Sequence, residues 1–371
     1  MIIMKLPSRL RIRRAWIAFL AICIVPTIAA QYNTKNLAPA LDRATEELYS
    51  CEKLRLYPII ANEGFRQAHR DIGKAVPMNM ALADGRLKIS EQEGSATVNS
   101  LQVKNTSQDT IYLMQGEVII GGKQDRILAQ DLLVPPGASM DIAAFCVEHG
   151  RWSEQATGAD FKGTKGVAAQ EVRKAAAVSK QQGQVWDAVA RMVQVSATRT
   201  STGSYAHMVD DKTFNADREK YRERLVGLPA TCVGVVGVVA VIGGKVIGCD
   251  ILATEDLFRQ AYPQLIDAYI AEALTSGAPV TMEATAVQDY FTSLFGDESQ
   301  LEQKIGSQPH PCVLCRVMAL PVPFTISISR TSATSFTSTR RATTSARMNT
   351  LPLVRCPTDN PMAVKIRSAP M

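Results

Sequence analysis

Val233-Gly-Val-Val-Gly-Val-Val-Ala-Val-Ile242, Gly243-Gly244, Lys245-Val-Ile-Gly-Cys-Asp-Ile-Leu252 reads as two apolar, β-branched runs on either side of a glycine pair. Runs of this length and composition are strand-like. Gly-Gly between them fits a tight turn that needs positive φ, so the segment is predicted to be a β-hairpin. Gly234-Val-Val-Gly237 with Gly243-Gly244 is therefore not a dinucleotide loop, which would need a strand-to-helix turn. Thr254 follows as an N-cap, and a long helix is expected over Glu255–Thr275, with Asp256 in its first turn and Gly277 beyond its end. Pro263 inside that helix is expected to bend it or divide it in two.

Working back from the hairpin, Gly166 to about Ser196 is rich in Ala, Gln, Lys and Val and predicts one or two helices interrupted near Gln181-Gln-Gly183. Thr198 to Tyr205 is a polar loop, and Asp217–Leu225 is helical. Lys53 to about Trp152 is written in strands: Leu54–Ile60, Leu87–Ser90, Thr97–Val103, Thr110–Ile120, Arg126–Val134 and Met140–Val147. Leu37, Leu41, Ala44 and Leu48 have helical spacing ahead of them. The expected fold is α+β: a mostly antiparallel, sandwich- or barrel-like β half at about 50–152, a helical middle, then the hairpin and long helix, as one domain over 31–310.

The ends of the chain differ from its centre. Lys5, Arg9, Arg11, Arg13 and Arg14 precede an apolar run, Ala15–Val25, and small residues near Ala29-Ala30, so residues 1–30 are expected to be a cleavable signal peptide. The run is about half of what a bilayer span needs, so no stable membrane span is expected after cleavage. In Phe324–Thr350, 14 of 27 residues are Ser or Thr, too polar to offset the entropy of ordering, so 311–371 is expected to be a disordered tail. A reading frame lost near 306–311 would explain the abrupt loss of acidic residues there. Residues 1–30 carry five basic and no acidic groups and 311–371 eight and one, which leaves 28 basic against 34 acidic residues for 31–310. The folded part is mildly acidic, without a basic stripe, and nucleic acid is excluded as a partner.

Other chemistries are poorly supplied. His69, His149, His207 and His310 have no ligand spacing, so no metal site is predicted. There is no nucleophile elbow and no phosphate-binding loop of the P-loop type. Cys146, Cys232 and Cys249 sit in apolar runs and read as small buried hydrophobes. Cys312-Val-Leu-Cys315 has redox or zinc spacing but lacks a second ligand pair.

Two polar clusters stand out: Met114-Gln-Gly-Glu-Val-Ile-Ile-Gly-Gly-Lys-Gln-Asp-Arg126 and Phe145-Cys-Val-Glu-His-Gly-Arg-Trp152. If 110–120 is one strand, Gln115 and Glu117 share a face. Gly121 and Gly122 would let backbone N–H groups approach a ligand, beside Lys123, Gln124 and Arg126. Glu148, His149, Arg151 and Trp152 would join them if the second cluster folds alongside. Three readings stay open. The clusters could bind an anionic group through Lys123, Arg126 and Arg151, with Trp152 against a ring. Glu117 and Glu148 could share general acid/base work or ligate a hard cation through oxygen. Or the two carboxylates could pair with Arg126 and Arg151 and simply pin strand ends.

Those two clusters, together with Gly237–Asp250 and Leu257-Phe-Arg-Gln-Ala-Tyr-Pro263 to Ala273, resemble the ARG- and rhodanese-phosphatase-superfamily-associated protein domain, over about residues 50–295. The resemblance implies a closing C-terminal strand, which the sequence does not reveal. It also implies a setting of nucleotide or phosphoryl chemistry, without assigning a catalytic residue or a cofactor. The expected function is therefore an exported domain that recognises a small anionic ligand or an envelope protein. The alternatives are a hydrolase of a phosphate- or nucleotide-containing substrate and a structural envelope protein.

Overall fold

A computed structural model describes residues 32–70, 75–91, 99–150, 160–196, 203–295 and 316–319. In chain order, β1 (Leu37–Pro39), α1 (Arg43–Leu48), β2 (Ser50–Cys51), β3 (Leu54–Ala61) and α2 (Glu63–His69) come first. β4 (Ala75–Pro77), α3 (Met78–Ala83), β5 (Leu87–Glu91), β6 (Ser100–Asn105), β7 (Thr110–Leu113) and β8 (Glu117–Gly121) follow. Next are β9 (Arg126–Leu128), β10 (Leu132–Val134), β11 (Ser139–Cys146), β12 (Phe161–Val167) and α4 (Gln170–Lys174), which runs into a π-helical turn at Ala175–Ser179. The rest comprises α5 (Gln182–Val195), α6 (Tyr205–Val209), α7 (Lys212–Leu225), α8 (Leu228–Thr231), β13 (Val235–Ile242), β14 (Lys245–Leu252), α9 (Glu255–Ser276), α10 (Ala284–Ser293) and β15 (Arg316–Ala319).

The α+β class and the antiparallel N-terminal half are as the sequence predicts. β12-β8-β9-β11-β6-β5 form one sheet, β10-β7-β4 a small one, and β1-β3-β13-β14-β15, with β2 on β3, the third. Only β4 with β7 is parallel among these pairings. The hairpin is present, with Gly243 at φ +57° in its turn. The β half is not self-contained, however: β3 pairs along its length with β13, so the hairpin is completed by a strand from the start of the domain.

Several expected boundaries differ: Arg126–Val134, read as one strand, is two, β9 and β10. Leu37 opens a short strand, and helix α1 begins only at Arg43, where Asp42 caps it. Thr110–Ile120 is not one strand but β7 and β8, split at Met114-Gln115-Gly116. Gly116 turns the chain with φ +86°, and a Cβ there would come within 2.6 Å of Arg173 Cγ, so both the turn and its neighbour require glycine. Helix α9 runs undivided through Pro263. It is buried on most sides, with Leu257, Phe258, Tyr262, Leu265, Ile266, Tyr269 and Ile270 all covered, and that burial outweighs an interior proline's cost of about 3 kcal/mol.

One short strand lies within the expected tail. Arg316–Ala319 pairs antiparallel with Leu252–Cys249 of β14 and closes that edge of the sheet. Val317-Met318 lies in a short apolar stretch, 311–323, ahead of the Ser/Thr-rich segment and too short to register as a period. The remainder of 311–371, the proposed signal peptide and the Cys312/Cys315 pair lie outside the described residues. Cys51, Cys146, Cys232 and Cys249 are free thiols, the last three buried.

Candidate binding cavity and the buried carboxyl behind it

The predicted polar clusters are mostly consumed by the fold. Arg126 is fully buried on β9, where the register sets it opposite Ile119 rather than Glu117. Its carboxylate partner is Glu91, at 3.0 Å from Nη2, and its Nη1 donates to Gln124 O and Cys146 Sγ. This corrects the expected pairing of Arg126 with Glu117 or Glu148. The backbone N–H of Gly121 is taken by Asp125 Oδ1 and that of Lys123 by Glu91 Oε1. Gly122, at φ +55°, is pressed against Phe161, 2.6 Å from where its Cβ would stand. Gln124 is buried and donates to the carbonyl of Glu148, itself buried and bridged to Ser204. Gln115 lies in the turn, not on a strand: its amide donates to Ala129 O and its N–H to Asp131 Oδ1. His149 is exposed, edge-on to Trp186 at 4.5 Å. Arg151 and Trp152 lie outside the described residues.

A second polar group, not anticipated from sequence, occupies the interior. Arg173 of α4 and Asp250 of β14 are both fully buried and joined through two hydrogen bonds, of 2.9 and 3.2 Å. Tyr269 of α9 donates its hydroxyl to Asp250. Burial raises the Asp250 carboxyl against the pull of Arg173. Asp131 stands nearby, accepting from Tyr112 Oη at 2.7 Å as well as from Gln115 N.

Glu117 borders this group, 1 % exposed, at the first position of β8. Its Oε2 accepts from Met114 N at 2.7 Å, and it forms no ion pair with a described residue. Desolvation, opposed by the Met114 bond and reinforced by the charge of Asp131, pushes its carboxyl up to about 8. The amide of Gln264 on α9 lies beside it, close enough to favour the ionised form yet short of a hydrogen bond, with neither amide atom partnered.

Gln264 connects this carboxyl to a cavity. A recess of about 370 Å³ is lined by Asn79, Thr164, Lys165, Gly166, Asp210, Arg218, Arg222, Gln264 and Asp267, among others, and by none of the sequence-predicted site residues. The local structure explains the lining. α7 is capped by Asp211, whose Oδ1 accepts from Thr213 and Phe214 N. Its apolar face, Phe214, Tyr221 and Leu225, is buried, so Arg218 and Arg222, four residues apart, share another face toward the cavity. On α9, Gln264 and Asp267 are three apart and likewise adjacent. In β12 the register against β8 slips between Thr164 and Val167, a bulge with Gly166 at φ +75°, which redirects Lys165 to the rim.

The charges are unequally committed. Lys165 pairs with Asp210 at 2.7 Å, and Arg222 holds both oxygens of Asp267 at 2.9 and 2.7 Å. Arg218 donates to Asn215, a neutral partner, and makes no ion pair with a described residue. Three lining residues, Asn79 (Oδ1), Arg218 (Nε) and Gln264 (both amide atoms), carry buried polar atoms without partners. Such atoms each cost about 1–3 kcal/mol unless something supplies the missing bond. Among the described residues no cluster of His, Cys, Asp and Glu is placed to hold a metal ion, and no helix is long and apolar enough to cross a membrane.

The fold and this cavity define an α+β domain with an internal polar group and a recess whose lining carries one net positive charge. The family model of the ARG and Rhodanese-Phosphatase-superfamily-associated Protein domain matches residues 44–308, and the chain belongs to that family. No curated protein and no solved structure matches it.

Proposed function

We propose that the domain binds a small anionic ligand in the cavity between the β12 bulge, α7 and α9. The observation that carries this is Arg218, a guanidinium lining a ligand-sized recess with no carboxylate in ion-pair contact, beside the unpartnered amide of Gln264. Three basic residues line the recess against two acidic ones, so the lining carries one net positive charge to attract an anion. Binding is favoured over hydrolysis because those two carboxylates are committed and Glu117 does not line the recess.

The test is a thermal-shift titration of the full chain with sulfate, inorganic phosphate and small carboxylates. At least one anion should raise Tm by mass action, and Arg218→Ala should remove the response while the unliganded Tm stays within about 2 °C. No response to any anion would overturn the reading. We also infer from residues 1–30 that the chain is exported. The mature protein recovered from outside the cytoplasm should then begin near Gln31, and retention of Met1 would refute this.

A further inference from the structure

Glu117 is a buried carboxyl beside Gln264, and Gln264 lines the cavity. We propose that Glu117 is a specificity-determining residue of the cavity: uncharged, it donates its proton to Oε1 of Gln264, which presents the Gln264 N–H groups to the ligand and selects an anion. This rests on the anion-binding reading above.

The geometry restricts the alternatives. An amide has one accepting and one donating end, so the end that meets Glu117 fixes the end left for the cavity. A neutral Glu117 leaves the donor for the ligand. An ionised Glu117 would take the N–H groups and turn the carbonyl oxygen toward the ligand, repelling an anion. Burial and the like charge of Asp131 favour the neutral form and outweigh the Met114 N–H and the Gln264 amide, which favour the ionised one. From the preceding turn only the N–H of Met114 is offered to it, and from the β9–β10 connection Asp131 adds a like charge. From α9 comes only the neutral Gln264, and from α4 Arg173 is engaged by Asp250. The other buried guanidinium, Arg126, is engaged by Glu91. Burial pushing this carboxyl to about 8 agrees with the geometry. The bulge reinforces the link, because Val167, which ends it, pairs with Glu117, and Lys165 and Gly166 inside it line the recess.

The sign is definite. Anion affinity should be highest while Glu117 keeps its proton and should fall as pH rises through its pKa. Sulfate is the probe, because it does not itself titrate between pH 6.5 and 9. Calorimetric titration of the full chain should show sulfate affinity falling roughly tenfold over that range, the loss of one charge-assisted hydrogen bond. Glu117→Gln, permanently neutral, should bind with a flat profile. Gln264→Met, which keeps the carboxyl and removes the amide, should bind more weakly and also be flat. A Glu117→Gln or Gln264→Met protein that binds sulfate with the wild-type pH profile would overturn the assignment and leave the anion site standing. Absence of sulfate binding at every pH, in wild type and Arg218→Ala alike, would instead remove the site itself.

Discussion

Replacing Asp250 with alanine would remove two hydrogen bonds from a guanidinium that has no access to water. Arg173 loses the oxygens at 2.9 and 3.2 Å, and the Tyr269 hydroxyl loses its acceptor in the same step. Breaking a buried ion pair from one side costs about 3–5 kcal/mol, because the remaining charge is left desolvated. Asp131 is close enough to Arg173 to take up part of that charge, which places the loss toward the lower end. For a domain of this size each kcal/mol lowers Tm by about 2–4 °C, so a fall of about 6–12 °C is expected. The assay is urea unfolding at pH 7 followed by circular dichroism, with the m-value compared so that a change in stability is separated from a change in compactness. The double variant Arg173→Met with Asp250→Leu removes both charges and should be less destabilised than Asp250→Ala. A loss below about 1 kcal/mol in Asp250→Ala, or a double variant worse than the single one, would refute the reasoning.

Two further outcomes follow from single residues. Gly116→Ala forces a side chain into φ +86° and against Arg173 at 2.6 Å, and should cost about 2 kcal/mol or more in the same unfolding assay. A cost under about 0.5 kcal/mol would mean the turn is relaxed. For Glu117, the folded pKa near 8 lies above the ordinary 4.5, so the native state holds a proton that the unfolded chain has released. Its contribution is fully present below about pH 4.5 and is lost as pH rises toward 8, a change of a few kcal/mol. Stability measured across that window should decline in wild type and decline less in Glu117→Gln. Parallel curves would show that Glu117 ionises normally.

The hairpin at 235–252 and the cap of α9 were legible because each rests on local chemistry: β-branched runs about a glycine pair, and a threonine hydroxyl ahead of an apolar helix. Glu117 was legible too, as a carboxylate in an apolar segment, but its surroundings were not. Whether Arg126 would face Glu117 or Glu91 depends on strand register and on the break at Gly116, and neither is written in composition. The cavity was illegible for another reason. Asn79, Lys165, Arg218 and Gln264 come from four separate elements, and each looks like an ordinary polar residue at a helix or strand surface. The missed signals were charges inside otherwise buried runs: Arg173 among alanines and Asp250 between Cys249 and Ile251. A buried charge requires a partner from another part of the chain, and these two answer each other.

The closing strand has a practical side. β15 is the outer neighbour of β14, and it covers Cys249–Leu252, the part of β14 that holds Asp250. A chain cut at residue 310, where the sequence invites a boundary, would bare that rim of a sheet whose adjacent strand, β13, is wholly buried and has five valines among its eight residues. Unpaired N–H and C=O groups on such an edge are a template for another strand. Trimmed protein should therefore tend to join edge to edge with its own copies or precipitate, whereas protein extended past Ala319 should stay dispersed.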